Sequence, residues 1–190
     1  MAIPLVVALV AALLTPVAAY AQAERSYKVL ATSKTSTMQK EMQEAGDSGY
    51  RFVAVMGGET AIGGSEVVVL MEKTAADRTK YSYRLLATSR TSTLQKELQE
   101  AADAGWEAVG QTVFSSLFGG TETAGILEKS SETPSSIKYD YKLIATSKTS
   151  TLQKEIQEAA DHGYQAIGMT VGKTAVGGSE IVVITRKVVQ

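Results

Sequence analysis

The chain has 190 residues, of which 44% are hydrophobic and 21% charged, and its formal net charge is −1. It contains no cysteine and one histidine, which excludes a disulfide framework, a thiol nucleophile and a cysteine-ligated metal site, and argues against a site built from several histidines. The balanced charge argues against a nucleic-acid-binding protein that depends on a broad basic surface.

The N-terminal segment, residues 1–23, has no charged side chain and is predicted to be a secretory signal peptide. Its apolar run ends in small residues that fit the A-x-A cleavage pattern, and Glu24 and Arg25 follow at once. We therefore expect cleavage near Ala23, a periplasmic or secreted protein, and no stable membrane span after cleavage. The alternative is an uncleaved anchor, but the apolar run is short for a span and is interrupted by prolines.

An internal repeat dominates the remaining sequence. Residues 27–73, 83–129 and 141–187 align without a gap and share a core that reads ATSKTSTMQKEMQEAGDSGY in the first copy. The connectors between the copies are residues 74–82 and 130–140. Three gapless copies of this length do not arise by chance, so each copy is predicted to be one structural unit.

The first unit opens with a predicted strand at residues 27–31, which are rich in β-branched and aromatic side chains. A turn rich in hydroxyl groups leads to a helix predicted at residues 37–48, with Ser36 as its N-cap and Gln39 as the partner in a capping box. Apolar residues at i, i+4 and i+7 mark its buried side. Gly49 is expected to end the helix in a left-handed conformation.

Two more strands complete the unit, and a double-glycine loop separates them. The third strand, at residues 66–71, contains an unbroken apolar run, which predicts burial on both of its faces. It is therefore expected in the centre of the sheet, antiparallel to the other two strands, with the helix as a crossover that covers one face.

These elements predict an α+β chain of three tandem βαββ units. Each unit is a small mixed or antiparallel three-stranded sheet with one helix on one face, and the sheets pack together between units. The faces without a helix would meet around a pseudo-threefold axis or within one edge-joined sheet. A single unit is too small to bury both faces, so the isolated segment 27–73 should unfold or self-associate.

Each unit resembles a small bacterial family known as domain of unknown function 4177. The similarity lies in the opening strand, in the end of the helix, which reads GDSGY at residues 46–50 and ADAGW at residues 102–106, and in the closing hairpin. Glutamine stands at Gln43 and its equivalents, where the family often has asparagine in the last helical turn. The resemblance supports the predicted fold and implies no activity, because none is assigned to the family.

Candidate catalytic groups are few. His162 is the only histidine, and it aligns with Ser48 and Ala104, so we expect it to face solvent near the end of a helix. Nothing in the sequence brings the recurring carboxylates together as an acid and base pair. They are Asp47, Asp103 and Asp161, and Glu66, Glu122 and Glu180. We therefore predict no catalytic residue, no metal ligand, no cofactor and no enzyme activity.

A hydroxyl-rich turn with one basic residue precedes each helix, where free N–H groups can hold an anion. The candidate binding residues are Ser33, Lys34 and Thr35, Ser89, Arg90 and Thr91, and Ser147, Lys148 and Thr149. Ordinary helix capping combined with solvation is the alternative interpretation.

Two further features suggest a contact surface. In the second unit, Phe114, Leu117 and Phe118 occupy a hairpin loop, where such a cluster either packs against a neighbouring unit or forms an exposed patch. The polar positions of the helix recur identically in all three units, whereas the buried positions vary. Either the duplication is recent, or this polar face and the hydroxyl turn contact something.

The sequence thus predicts an exported, non-catalytic repeat protein that serves as a binding or structural scaffold. Its partner would be an unknown protein or envelope component, and assembly into a homo-oligomer stays open. The alternative is a small-ligand or anion receptor with up to three equivalent sites at the turns. Stoichiometry separates the two, because three small ligands per chain favour the turns and one partner per chain favours a loop contact.

Overall fold

A computed structural model describes residues 24–59, 65–115, 121–132, 137–173 and 178–189. The predicted signal peptide and most of the double-glycine loops lie outside these ranges. Within them, three helices and nine strands form three separate three-stranded sheets, each accompanied by one helix. The predicted α+β fold of three tandem units is confirmed.

The elements follow the same order in each unit. Those of the first unit are β1 (Arg25–Thr32), α1 (Thr35–Asp47), β2 (Arg51–Glu59) and β3 (Ser65–Thr74). Those of the second unit are β4 (Tyr81–Thr88), α2 (Thr91–Asp103), β5 (Glu107–Ser115) and β6 (Thr121–Ser130). Those of the third unit are β7 (Lys138–Thr146), α3 (Thr149–Asp161), β8 (Gln165–Lys173) and β9 (Ser179–Val189).

The last strand of each unit lies in the centre of its sheet and pairs antiparallel with both others, as the apolar run predicts. Along β3, the side chains of Val67, Val69 and Met71 point to the side that α1 covers, which we call the helix face. Val68 and Leu70 point to the other side, which we call the opposite face. Residues paired across antiparallel strands share a face, so the same division extends to the outer strands.

The helix begins earlier than the sequence predicts. Helix α1 begins at Thr35 rather than Thr37, and its N-cap is Lys34 rather than Ser36, with no hydrogen bond from a capping side chain. The end of the helix is as predicted, because Gly49 has a φ of 84°, a left-handed conformation that a residue with a Cβ rarely adopts.

The three sheets are stacked on one another. Each unit lays its opposite face on the helix face of the unit before it, beside that unit's helix. Ile126 of the second unit therefore shares a buried cluster with Met38 of the first, and Ile184 of the third packs with Leu98 of the second. Gly110 permits this close approach, because a Cβ there would lie 2.6 Å from the ring of Phe52.

This stack replaces both arrangements that the sequence suggested. The sheets share no edge, so they do not form one continuous sheet. Nor do the units close around a threefold axis, because in the described part of the chain the first unit has no neighbour on its opposite face and the third has none beside α3. None of the helices in the described ranges is long and apolar enough to cross a bilayer.

Candidate functional site

Glutamines of the first two helices bind the free edge of the next unit's first strand. Gln43 Oε1 accepts a hydrogen bond from the N–H of Tyr83, and Gln39 Oε1 accepts one from the N–H of Leu85, both at 2.9 Å. We call the contact between two successive units a seam. The second seam, between the second and third units, repeats the two bonds with Gln99 and Tyr141 at 3.1 Å and with Gln95 and Leu143 at 2.6 Å. The side chains thus satisfy an edge that would otherwise be open to pairing.

The recurring aspartate at the end of each helix orients the second glutamine of the pair. Gln43 Nε2 donates to Asp47 at 2.9 Å. The same bond joins Gln99 with Asp103 at 3.1 Å and Gln157 with Asp161 at 2.9 Å. A carboxylate only accepts hydrogen bonds, so it binds the amide NH₂ and leaves Oε1 for a strand N–H. In the first two units, the glutamines therefore contact the next unit directly, and the aspartate holds the second of them in place.

A buried tyrosine joins the first seam to a charge pair. The Tyr83 hydroxyl accepts from the N–H of Phe52 at 2.7 Å and donates to Glu128 at 2.8 Å. Tyr83 and Glu128 are only 3% and 4% exposed. Arg51 Nε binds the other Glu128 oxygen at 3.0 Å. Burial raises the pKa of the Glu128 carboxyl, and the bond from Tyr83 and the charge of Arg51 oppose that rise.

The second seam has the same geometry with the charges exchanged. Glu107 stands at the position of Arg51, and Arg186 stands at the position of Glu128. Arg186 donates to Glu107 at 2.6 Å, and the Tyr141 hydroxyl accepts from the N–H of Ala108 at 2.7 Å. Burial lowers the pKa of Arg186, but the hydrogen bond to Glu107, the charge of Glu107 and the neighbouring Tyr141 together outweigh this effect, so the pKa is raised.

These charges line an open groove of about 400 Å³ that crosses both seams. Sequence reasoning missed them, because a comparison that seeks identical residues across repeats passes over positions that differ. The position of Arg51 carries Arg, Glu and Gln in the three units, and the position of Glu128 carries Glu, Glu and Arg. A complementary change at two positions in successive repeats is the signal that could have found the pairs.

The predicted anion-binding residues stay in three separate places. Each turn belongs to its own unit, and most of the nine side chains are exposed. The threonine before each turn accepts from the backbone N–H of the basic residue, as Thr32 does from Lys34 at 3.2 Å. Ser33 also lines a shallow pocket of about 190 Å³ beside Glu66 and Phe114, where a carboxylate disfavours an anion.

The remaining candidates are distributed over the surface and one seam. Phe114 is 3% exposed and belongs to the cluster that joins the first two units, so it packs against a neighbouring unit. Leu117 and Phe118 lie outside the described residues. His162 is exposed, as predicted, and its Nδ1 lies 2.7 Å from the carbonyl oxygen of Glu158. In the described ranges, no three acidic or histidine side chains are placed to hold a metal ion.

Comparisons with protein-family models, with curated proteins and with solved structures found no match. The resemblance to domain of unknown function 4177 therefore stays a prediction, and the function is argued from the geometry of this chain.

Proposed function

We propose that this chain is an exported, non-catalytic protein that acts as a binding or structural scaffold in the periplasm or outside the cell. The observation that carries the proposal is the position of its buried polar side chains. Of the five buried polar side chains in the described residues, Glu128, Gln111 and Thr112 lie where one unit meets the next, whereas Thr185 bonds within the third unit. Most of the buried polar side chains in the described chain therefore stabilise the stack.

The strongest candidate for acid–base chemistry also supports this proposal. A general acid or base must come within hydrogen-bonding distance of a substrate proton. Glu128 has the burial and the raised pKa typical of such a group, but one oxygen is bound by Tyr83 and the other by Arg51. Its environment is explained by a structural role.

Export and partner binding can be tested in one experiment. The full chain is expressed in a bacterial host, and the exported fraction is examined by mass spectrometry, where we expect an N-terminus near Glu24. The purified exported protein is then used to capture components of the cell envelope, with one protein partner per chain as the expected result. An intact N-terminus in the membrane fraction would contradict export, and a turnover-dependent interaction with a small molecule would contradict the scaffold.

A second candidate function, an anion receptor, is favoured by the helix N-termini. None of the three helices has a side-chain cap, and a basic residue stands at each N-cap, namely Lys34, Arg90 and Lys148. The protein is titrated with phosphate and with sulfate and followed by NMR. We expect the backbone amide signals of all three turns to shift, with three ions bound per chain at saturation. The variant Lys34→Gln should lose only the first of these responses, and unchanged spectra would exclude this candidate.

A further inference from the structure

The two ends of the stack expose apolar side chains. Of the eight large apolar side chains exposed in the described part of the chain, six lie at these ends. The front surface is the opposite face of the first unit, with Tyr27, Val29, Val53 and Met56. The rear surface is the helix face of the third unit beside α3, with Met169, Val171, Gln153 and Gln157.

The front surface exposes positions that the other units bury. Tyr27 is 57% exposed, whereas the equivalent Tyr83 and Tyr141 are 3% and 2% exposed. Met56 is 67% exposed, whereas the equivalent Thr112 is 3% exposed. The difference arises because Tyr83 and Tyr141 are covered by the preceding unit, whereas no unit precedes Tyr27 among the described residues.

The rear surface is the counterpart at the other end. Met169 is 64% exposed, whereas the equivalent Gln111 is buried and donates to Thr170 of the next unit at 2.8 Å. Gln157 is held by Asp161 as the glutamines of the seams are held by their aspartates. In the described part of the chain, however, no strand N–H donates to its Oε1.

We propose that the front surface of one copy of this chain binds the rear surface of a second copy, so that chains join head to tail. The proposal names the partner of the scaffold and rests on that function. The second copy is the occupant because the two surfaces are the two halves of a seam that this chain already forms twice. They lie at opposite ends of the stack, so one chain cannot join them to each other.

The hydrogen bonds of the new contact follow from the internal seams. Gln157 would accept from the N–H of Tyr27, and Gln153 would accept from the N–H of Val29, as the glutamines of α1 and α2 do with β4 and β7. The Tyr27 hydroxyl would accept from the N–H of Ala166, the equivalent of Phe52 and Ala108.

The charged positions are also compatible with this contact. Gln165 stands at the position of Arg51 and Glu107, and it would face Glu72 of the second copy. A glutamine amide can donate to a carboxylate, so this pair of positions brings no like charges together. The interface is heterologous, and it produces a closed ring if the rotation between copies closes and a filament if it does not.

The test uses the full chain, purified after expression, and variants with one surface blocked. The front variant carries Val29→Lys with Met56→Lys, and the rear variant carries Met169→Lys with Val171→Lys. All four side chains are more than half exposed, so these substitutions should leave the fold intact. Val188→Lys is the matched control, because Val188 is 65% exposed and lies on neither end surface. Sedimentation velocity measures assembly from micromolar to millimolar concentration, and circular dichroism checks the fold.

We expect the wild type and the control to form species larger than one chain. Each blocked variant alone should associate at least about 30-fold more weakly, the effect of disrupting one central interface residue. An equal mixture of the two variants should give a heterodimer, because one intact front meets one intact rear.

Two results would overturn the proposal. A wild type that is monomeric at every concentration would refute the head-to-tail contact and leave the scaffold function standing. A rear variant that still pairs with itself would show a symmetric contact between two front surfaces. Assembly of the wild type together with turnover of a small molecule would instead contradict the scaffold and leave the head-to-tail contact standing.

Discussion

Removing one hydroxyl group from the first seam tests whether the seams hold the units together. In Tyr83→Phe, the part-buried N–H of Phe52 loses its acceptor and Glu128 loses one of its donors. An unsatisfied buried donor costs about 1–3 kcal/mol, and a hydrogen bond to a charged group contributes about 1.5–3 kcal/mol. Because Arg51 still binds Glu128, we expect a total loss near 3 kcal/mol in the free energy of unfolding.

Two equivalent tyrosines provide matched controls. Tyr141→Phe removes one bond to a buried N–H and should cost about 1–3 kcal/mol, whereas Tyr27→Phe alters an exposed side chain and should change stability by less than about 0.5 kcal/mol. Urea denaturation at low protein concentration measures all three. A loss near 3 kcal/mol in a chain of this size lowers Tm by about 6–12 °C. If Tyr83→Phe were no less stable than Tyr27→Phe, the assignment of Tyr83 to a buried seam would be wrong.

Three further predictions concern the seams. Gln39→Ala with Gln43→Ala should lower the free energy of unfolding by about 2 kcal/mol in urea denaturation, and the same change in α3 should leave it unaltered. The pKa of Glu128 in the folded chain lies above the ordinary 4.5, so between these two pKa values the folded chain binds more protons than the unfolded chain, and the free energy of unfolding falls as pH rises. Denaturation at several pH values should show this dependence, and Glu128→Gln should lose it. A free energy of unfolding that rises with pH in this range would refute the assignment. Segment 27–73 alone should be unfolded or associated by circular dichroism and sedimentation, since Tyr83 and Ile126 complete its core; a monomer with a cooperative melt would contradict this.

The fold within each unit could be predicted because its signals are local. An apolar run along β3 favours a position between two other strands, so it predicts the centre of the sheet, although Val68 and Leu70 on its opposite face are only half-buried. Gly49 marks the end of the helix because few other residues adopt its backbone conformation. The predicted start of the helix was wrong because Ser36 is a residue type that commonly serves as an N-cap. Its expected partner Gln39 instead binds the N–H of Leu85, a contact that is 46 residues away in the sequence.

The arrangement of the units was not predictable in the same way. The alternation of Val67 and Val68 shows that two faces need cover, but it is satisfied equally by an open stack, a closed ring of three or a continuous sheet. The difference lies in which residues meet across a seam. Arg51 with Glu128, and Glu107 with Arg186, carry that information only once the faces of successive units are known to touch.

The exchanged charges also explain how three similar units keep one order. If the third unit replaced the second on the first, Arg186 would meet Arg51, and if a second unit followed a second unit, Glu128 would meet Glu107. Like charges at this contact oppose such pairings, so each seam disfavours the partner of the other. Among the three equivalent positions, Arg51, Glu107 and Gln165, only the last is neutral. Its amide can donate to Glu72 of another copy, and it carries no charge that would attract the partners of the internal seams. The charge pattern therefore specifies the order within a chain and leaves its ends able to accept a further unit.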